Sequence, residues 1–169
     1  MKIKANSART AGFTLIELVA GMIVISAGLV AMSAMLLPQT DRAASHLHSV
    51  RAAELAQSVM NEIWGKQYDP NTGFGGIPAC KATGTSQEIC TLNASNSVRD
   101  NFANINDYKT LTINSPMLGS SQTYADVYKN YKLQVAVASS SPAVSKRITV
   151  TVTTPEGTEY RFDAVRSNY

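Results

Sequence analysis

Residues 13–37 read FTLIELVAGMIVISAGLVAMSAMLL, and from Leu18 to Leu37 there are 20 residues without a charge. At a rise of about 1.5 Å per residue such a run spans about 30 Å as a helix, the thickness of a hydrocarbon core. Lys2, Lys4 and Arg9 lie just before it with no acidic neighbour. Positive charge flanking an apolar segment stays on the cytoplasmic side, which sends the C-terminal part of the chain across the membrane. An ordinary secretory signal would be cut near the small residues Ala31–Ala34, and a plain anchor would not be cut at all. Neither has a use for Glu17. A carboxylate in an apolar segment costs roughly 2.5–3.5 kcal/mol near a helix centre, less near an end, and calls for a functional explanation.

The net charge of +3 resides in the same place. The chain has 15 Lys and Arg against 12 Asp and Glu, and three of the basic residues are Lys2, Lys4 and Arg9. The remainder is formally neutral, so the balance gives no reason to expect nucleic-acid binding.

Ala11-Gly12-Phe13-Thr14-Leu15-Ile16-Glu17-Leu18 resembles the processing motif of type IV prepilins and of type II secretion pseudopilins. The resemblance implies cleavage by a prepilin peptidase between Gly12 and Phe13, and N-methylation of Phe13. Glu17 then becomes the fifth residue of the mature chain, where the family keeps a glutamate that pairs with the N-terminal amine of a neighbouring subunit. Gly12 offers a close approach to the backbone. In a medium of low dielectric an amine–carboxylate pair is strongly attractive and an unpaired carboxylate strongly penalised. The resemblance further implies an inner-membrane, single-pass protein with a periplasmic head before assembly and an extracellular pilus subunit afterwards. Its partners would be the other pilins of the fibre, the prepilin peptidase and the assembly platform in the inner membrane.

Pro38 ends the apolar run and should kink a helix, because it leaves the carbonyl of Ala34 without a donor. Gly21 and Gly28 are alternative weak points. Thr40 or Asp41 can cap a second helical stretch running to about Trp64. In it Ala52, Leu55, Ala56, Val59, Met60 and Ile63 share one apolar face, with Glu54 and Glu62 read as lying off it. Trp64 is read as capping the core beneath. His46 and His48 are two apart on this helix and do not share a face, so no metal is expected there.

Gly65 closes the helix. From there to about Ser121 the chain is rich in Gly, Ser, Thr and Asn. Asp69-Pro70-Asn71-Thr72-Gly73 places oxygen side chains at intervals but lacks the remaining ligands of a calcium loop, and it reads as a turn. Asn93-Ala94-Ser95 has the form of a glycosylation acceptor. Cys80 and Cys90 would be two thiols or a weak metal half-site in the cytosol. On the exported side of a membrane they form one disulfide closing a short loop.

The last third is β. In residues 131–138, Tyr131, Leu133, Val135 and Val137 alternate inward. In 147–153, Ile148, Val150 and Val152 do so. Thr154-Pro155-Glu156-Gly157 is a turn, and 159–165 continue with Tyr160, Phe162 and Ala164 in phase. The fold class expected is therefore α+β. A long N-terminal helix, transmembrane in its first half, packs its second half on a small antiparallel sheet. The organisation is a leader at 1–12, a transmembrane and assembly helix at 13–37, an amphipathic continuation at 38–64, a polar loop region with a disulfide at 65–121, and a sheet at 122–169.

The sequence contains no nucleophile elbow, phosphate loop or paired metal motif, so neither enzymatic activity nor a cofactor is expected. The helix from Arg51 to Ile63, the segment Lys146–Pro155 and the ending Arg166-Ser167-Asn168-Tyr169 resemble minor pilins of the group that includes the I-type pseudopilins and the PilV-type pilins. They come nearest to those of the mannose-sensitive haemagglutinin (MSHA) pilus. The resemblance implies a minor subunit that initiates or decorates a fibre used in attachment. The alternatives are a minor pseudopilin of a type II secretion system, or an adhesin head whose binding surface is the 65–121 region.

Overall fold

The computed structural model describes Gly12 and residues 14–168, with residues 37–44 and Phe74 described by backbone only. Phe13, the expected first residue after cleavage, lies outside the described residues. The chain divides between Ala44 and Ser45 into two compact units, and one helix, α1, Leu15–Trp64, has its first part in one and its last part in the other.

In the first unit, Leu15–Leu36 is long and apolar enough to cross a membrane. The residues of this stretch are exposed all round in the isolated chain, and a helix apolar on every side calls for apolar surroundings. Its two hydroxyls are satisfied within the helix. Ser26 Oγ donates to the Met22 carbonyl at 2.7 Å and Ser33 Oγ to the Leu29 carbonyl at 2.9 Å, which removes the cost of an unpaired polar group in an apolar medium. The backbone is helical through Pro38, Thr40 and Asp41. The expected restart capped by Thr40 or Asp41 is therefore corrected: a residue in the helical interior is not an N-cap, which needs an extended backbone.

The second unit is the α+β head. Ala52, Leu55, Ala56, Val59 and Ile63 of α1 are fully buried. They join the inner face of a three-stranded sheet in one hydrophobic core. The strands are β1, Lys132–Ala138, β2, Ser145–Thr153, and β3, Glu159–Ser167, in spatial order β1-β2-β3 and antiparallel throughout. Val135 faces Val150, which faces Phe162, and Leu133, Val152 and Tyr160 form the next row. The alternation expected from the sequence is thus the observed register. β2, the central strand, buries its inward residues fully, while Tyr160, Phe162 and Ala164 on the edge strand β3 are half-buried. The turn between β2 and β3 closes with a Gly157 N–H to Thr154 carbonyl bond of 2.9 Å and places Gly157 at φ 86°, which favours glycine.

The region 65–121 is more than solvated loop. It contributes Tyr68, Phe102, Ile105, Tyr108 and Leu111 to the core. It carries short 3₁₀ segments at Phe74–Gly76, Arg99–Asn101 and Ile105–Thr110, and a single α-helical turn, α2, Tyr124–Val127, follows it. Cys80 and Cys90 are joined by a disulfide with their Cα atoms 5.1 Å apart. Trp64 does not cap the core. It is 44 % exposed, with the Arg166 guanidinium 5.9 Å from its ring centre. Arg166 also meets the end of the helix, donating to the Lys66 carbonyl at 2.6 Å and reaching the carbonyls of Ile63 and Trp64. A cation on the last carbonyls of a helix is favoured by their unpaired acceptors and by the helix dipole.

Candidate functional site

The stretch that resembles a processing motif lies where α1 begins. The Glu17 N–H bonds to the Thr14 carbonyl at 3.1 Å and to Thr14 Oγ1 at 3.3 Å. The Thr14 hydroxyl thus caps the helix through the Glu17 N–H, and an acidic side chain in the first turn is favoured by the helix dipole. Glu17 therefore has a local structural use as well as the intermolecular one implied by the resemblance. Gly12 is exposed, and a Cβ built on it would meet nothing within 4 Å. Its lack of a side chain answers no packing need among the described residues of the chain.

In the head, polar residues with no obvious place in the sequence pattern form two buried clusters. Lys146 and Asp69 are both wholly buried and paired at 2.6 Å. Lys146 Nζ also donates to the Tyr68 carbonyl and to Asn106 Oδ1, each at 3.0 Å, and lies 4.5 Å from the centre of the Tyr68 ring. All three ammonium protons are thus engaged. The same cluster accounts for the turn at 69–73: Asp69 Oδ1 accepts from the Asn71 N–H at 3.1 Å, and Oδ2 from the Thr91 N–H at 2.9 Å. An ammonium rather than a metal ion sits among these oxygens. Burial pushes the Lys146 amine below the ordinary lysine range, with Asp69 opposing the shift. Burial, reinforced by the Asp69 charge and opposed by Arg166, pushes Tyr68 up to about 12.

Adjoining it, Asp107 closes a capping box with Asn104 at the head of the 105–110 segment. Its carboxylate accepts from the N–H groups of Ser95, Asn96 and Ala103 at 2.7, 2.9 and 3.0 Å and from the Asn104 side-chain amide at 2.9 Å. Burial alone would raise this carboxyl, but the converging donors outweigh it and hold it below the usual carboxylate range.

The second cluster corrects the placement of Glu62. Its side chain is only 12 % exposed and forms an ion pair with the buried Arg99. Its other oxygen accepts from Tyr108 Oη at 2.5 Å. Seven residues separate Glu62 from Leu55, so the two share a helix face, and spacing alone could have placed it inward. Burial opposes the Arg99 charge, but the bonds to Glu62 and Tyr124 overcome that and raise its pKa. The Tyr108 hydroxyl is pushed well above the tyrosine range, first by burial and then by Glu62. Lys146 could likewise have been placed by extending the β2 alternation one step back from Ile148. Asp69, Asn106 and Arg99 carry no such signal, because loops bring them in.

His48 shares a 2.9 Å hydrogen bond with Tyr131 Oη and lies 4.0 Å from Glu156. Among the described residues no group of three or more His, Cys, Asp or Glu is placed to hold a metal ion. Asn93 of the sequon is exposed. A cleft of about 650 Å³ beside the end of α1 is lined by Trp64, Lys66, Tyr68, Gly76 and Arg166, among others. Its cations are already committed to carbonyls, Lys66 Nζ to that of Phe102 at 2.7 Å and Arg166 as above.

No family model, no curated protein and no solved structure matches this chain.

Proposed function

We propose that the chain is a minor pilin of a type IV pilus of the MSHA type, closest in kind to its MshD subunit, which initiates or decorates a fibre used in surface attachment. The reading rests on the resemblance of residues 11–18 to the prepilin motif. The observation that supports it best is the coincidence of three features in one short stretch. An exposed glycine without a packing role precedes an acidic residue in the first turn of α1, and a span of membrane length follows, apolar on every side. A helix apolar all round needs apolar surroundings wherever it resides. Lipid supplies them before assembly, and the same helices of neighbouring subunits supply them within a fibre. The Glu17 carboxylate is costly in either place unless it meets a cation. The amine of Phe13 released by cleavage after Gly12, on an adjacent subunit, is that cation. The disulfide is consistent with a head folded outside the cytoplasm. No catalytic role is assigned.

The test separates the two uses of Glu17. Glutamine keeps the shape of glutamate and the backbone N–H that Thr14 caps, losing locally only about 0.3–1 kcal/mol of helix-dipole stabilisation, but it carries no charge to pair with an amine. Glu17→Gln should therefore leave cleavage after Gly12, insertion and head folding intact, while incorporation into sheared fibres falls at least tenfold. Glu17→Gln protein present in fibres at wild-type level would refute charge-driven assembly. Mass spectrometry of the mature N-terminus should give N-methylated Phe13, and an N-terminus near Ala34 would refute the pilin reading itself. Deletion of the gene should reduce surface pili and attachment. Loss of enzyme secretion with normal pili would assign the chain to a secretion pseudopilus.

A further inference from the structure

Lys146, Asp69 and Asn106 are each wholly buried. From a single point, Lys146 Nζ, the distances are 2.6 Å to the acid and 3.0 Å to the carboxamide oxygen. The acid is held by two backbone N–H groups. The carboxamide is held through its other atom, Asn106 Nδ2 donating to the Thr91 carbonyl at 3.1 Å. An amine, a carboxamide and a carboxyl, fixed together out of water, are the reactants and the proton carrier for an amide exchange. We propose that Lys146 and Asn106 become joined by an intramolecular amide bond, with Asp69 relaying the protons.

The step balances without any further reactant. Lys146 Nζ gives a proton to Asp69 Oδ2, which leaves a neutral amine and a neutral carboxyl. The amine lone pair forms a bond to Asn106 Cγ while the carboxyl proton moves to Oδ1. A second proton from Nζ then passes through the Asp69 carboxylate to Nδ2. The Cγ–Nδ2 bond breaks and ammonia leaves, and Oδ1 returns its proton to Asp69. The products are a secondary amide between residues 106 and 146, ammonia and a protonated Asp69, and nothing is oxidised or reduced.

Three features favour it. Desolvation weakens the ammonium form, and an amine so placed is the activated state of a lysine nucleophile. Exclusion of water leaves the amine without competition from hydrolysis. The three groups are held by the fold itself, and preorganisation of this kind corresponds to effective molarities of about 10⁵–10⁸ M in well-oriented intramolecular reactions. The bond would tie the 105–110 segment to the central strand β2, fastening the loop region to the sheet independently of the disulfide. The inference does not depend on the pilin reading, since it uses only head residues.

The experiment is peptide-level mass spectrometry of the full chain, extracted in detergent and digested under denaturing conditions after reduction. The expected result is a branched peptide that joins the segment containing Asn106 to the segment containing Lys146, lighter than the two together by one ammonia. Asp69→Asn should abolish or strongly slow the link, and Lys146→Arg should abolish it. Recovery of both segments unlinked and at full mass from folded wild-type protein would overturn the proposal. So would an ammonia loss confined to a single linear peptide, which is the signature of an asparagine ring closure. The decisive measurement is on wild-type protein, so a variant that fails to fold leaves the conclusion unaffected.

Discussion

Two stretches of the same helix are both rich in apolar residues and face opposite circumstances. In 52–63 the apolar residues keep helical spacing and are buried by the sheet and loops of the head. In 15–36 they occupy every side and are exposed in the isolated chain. A periodic stripe can be satisfied by the chain that carries it, because the remaining faces meet water. A helix without a polar face has no side that water suits, so it calls for apolar surroundings all round. The two stretches thus differ in how their apolar surface can be completed, one within the chain that carries it and the other only by apolar surroundings on every side.

Truncation within the stripe should have the largest effect on the head. Leu55→Ala removes a fully buried side chain and should cost about 2–5 kcal/mol, read as a fall in the denaturation midpoint of the detergent-solubilised protein. A loss under 1 kcal/mol would mean that the 52–63 face is not the centre of the core. Opening the Cys80–Cys90 loop comes next. The separation of 10 residues implies a loss of roughly 2–3 kcal/mol on Cys80→Ser, read in the same denaturation experiment.

A smaller, pH-dependent effect should come from Asp107. Its folded-state pKa lies below the ordinary value, so the unfolded chain takes up its proton first as pH falls. The carboxylate contributes stability that is fully present above the usual aspartate range and is lost as pH drops through the folded value. Asp107→Asn should lower stability at neutral pH and flatten the acid limb of the stability–pH curve. An unchanged slope would show that Asp107 does not carry that limb. The smallest effect belongs to the other stretch. Leu29→Ala, on a residue 61 % exposed, should shift head stability by no more than about 0.5 kcal/mol. A larger shift would end the distinction between the two stretches, since it would show that the head itself covers the apolar segment.

The outcome of each sequence reading follows from the range of the forces involved. Alternation in 131–138 and 147–153 defined the inward residues because side chains in a strand must alternate and one face meets water. Twenty uncharged residues defined a membrane-length helix because composition alone decides solubility in hydrocarbon. The helix restart at Thr40 or Asp41 was misplaced, and so was Glu62. In the first case a local capping preference yielded to a helix already under way. In the second, charge was taken as a sign of exposure although position 62 lies on the buried face.

By itself, then, the sequence determined the elements with a strong period: an apolar span, an amphipathic helix, a three-stranded meander and a pair of cysteines within reach of each other. Only the tertiary structure decided which charges go inside. Arg99 reaches Glu62, and Asp69 and Asn106 reach Lys146, from loops whose course no periodicity records. A buried charge is tolerated only where a partner from a distant part of the chain meets it. That meeting is a property of three-dimensional closure and not of any local stretch, so the polar interior of the head appears only once the chain has folded.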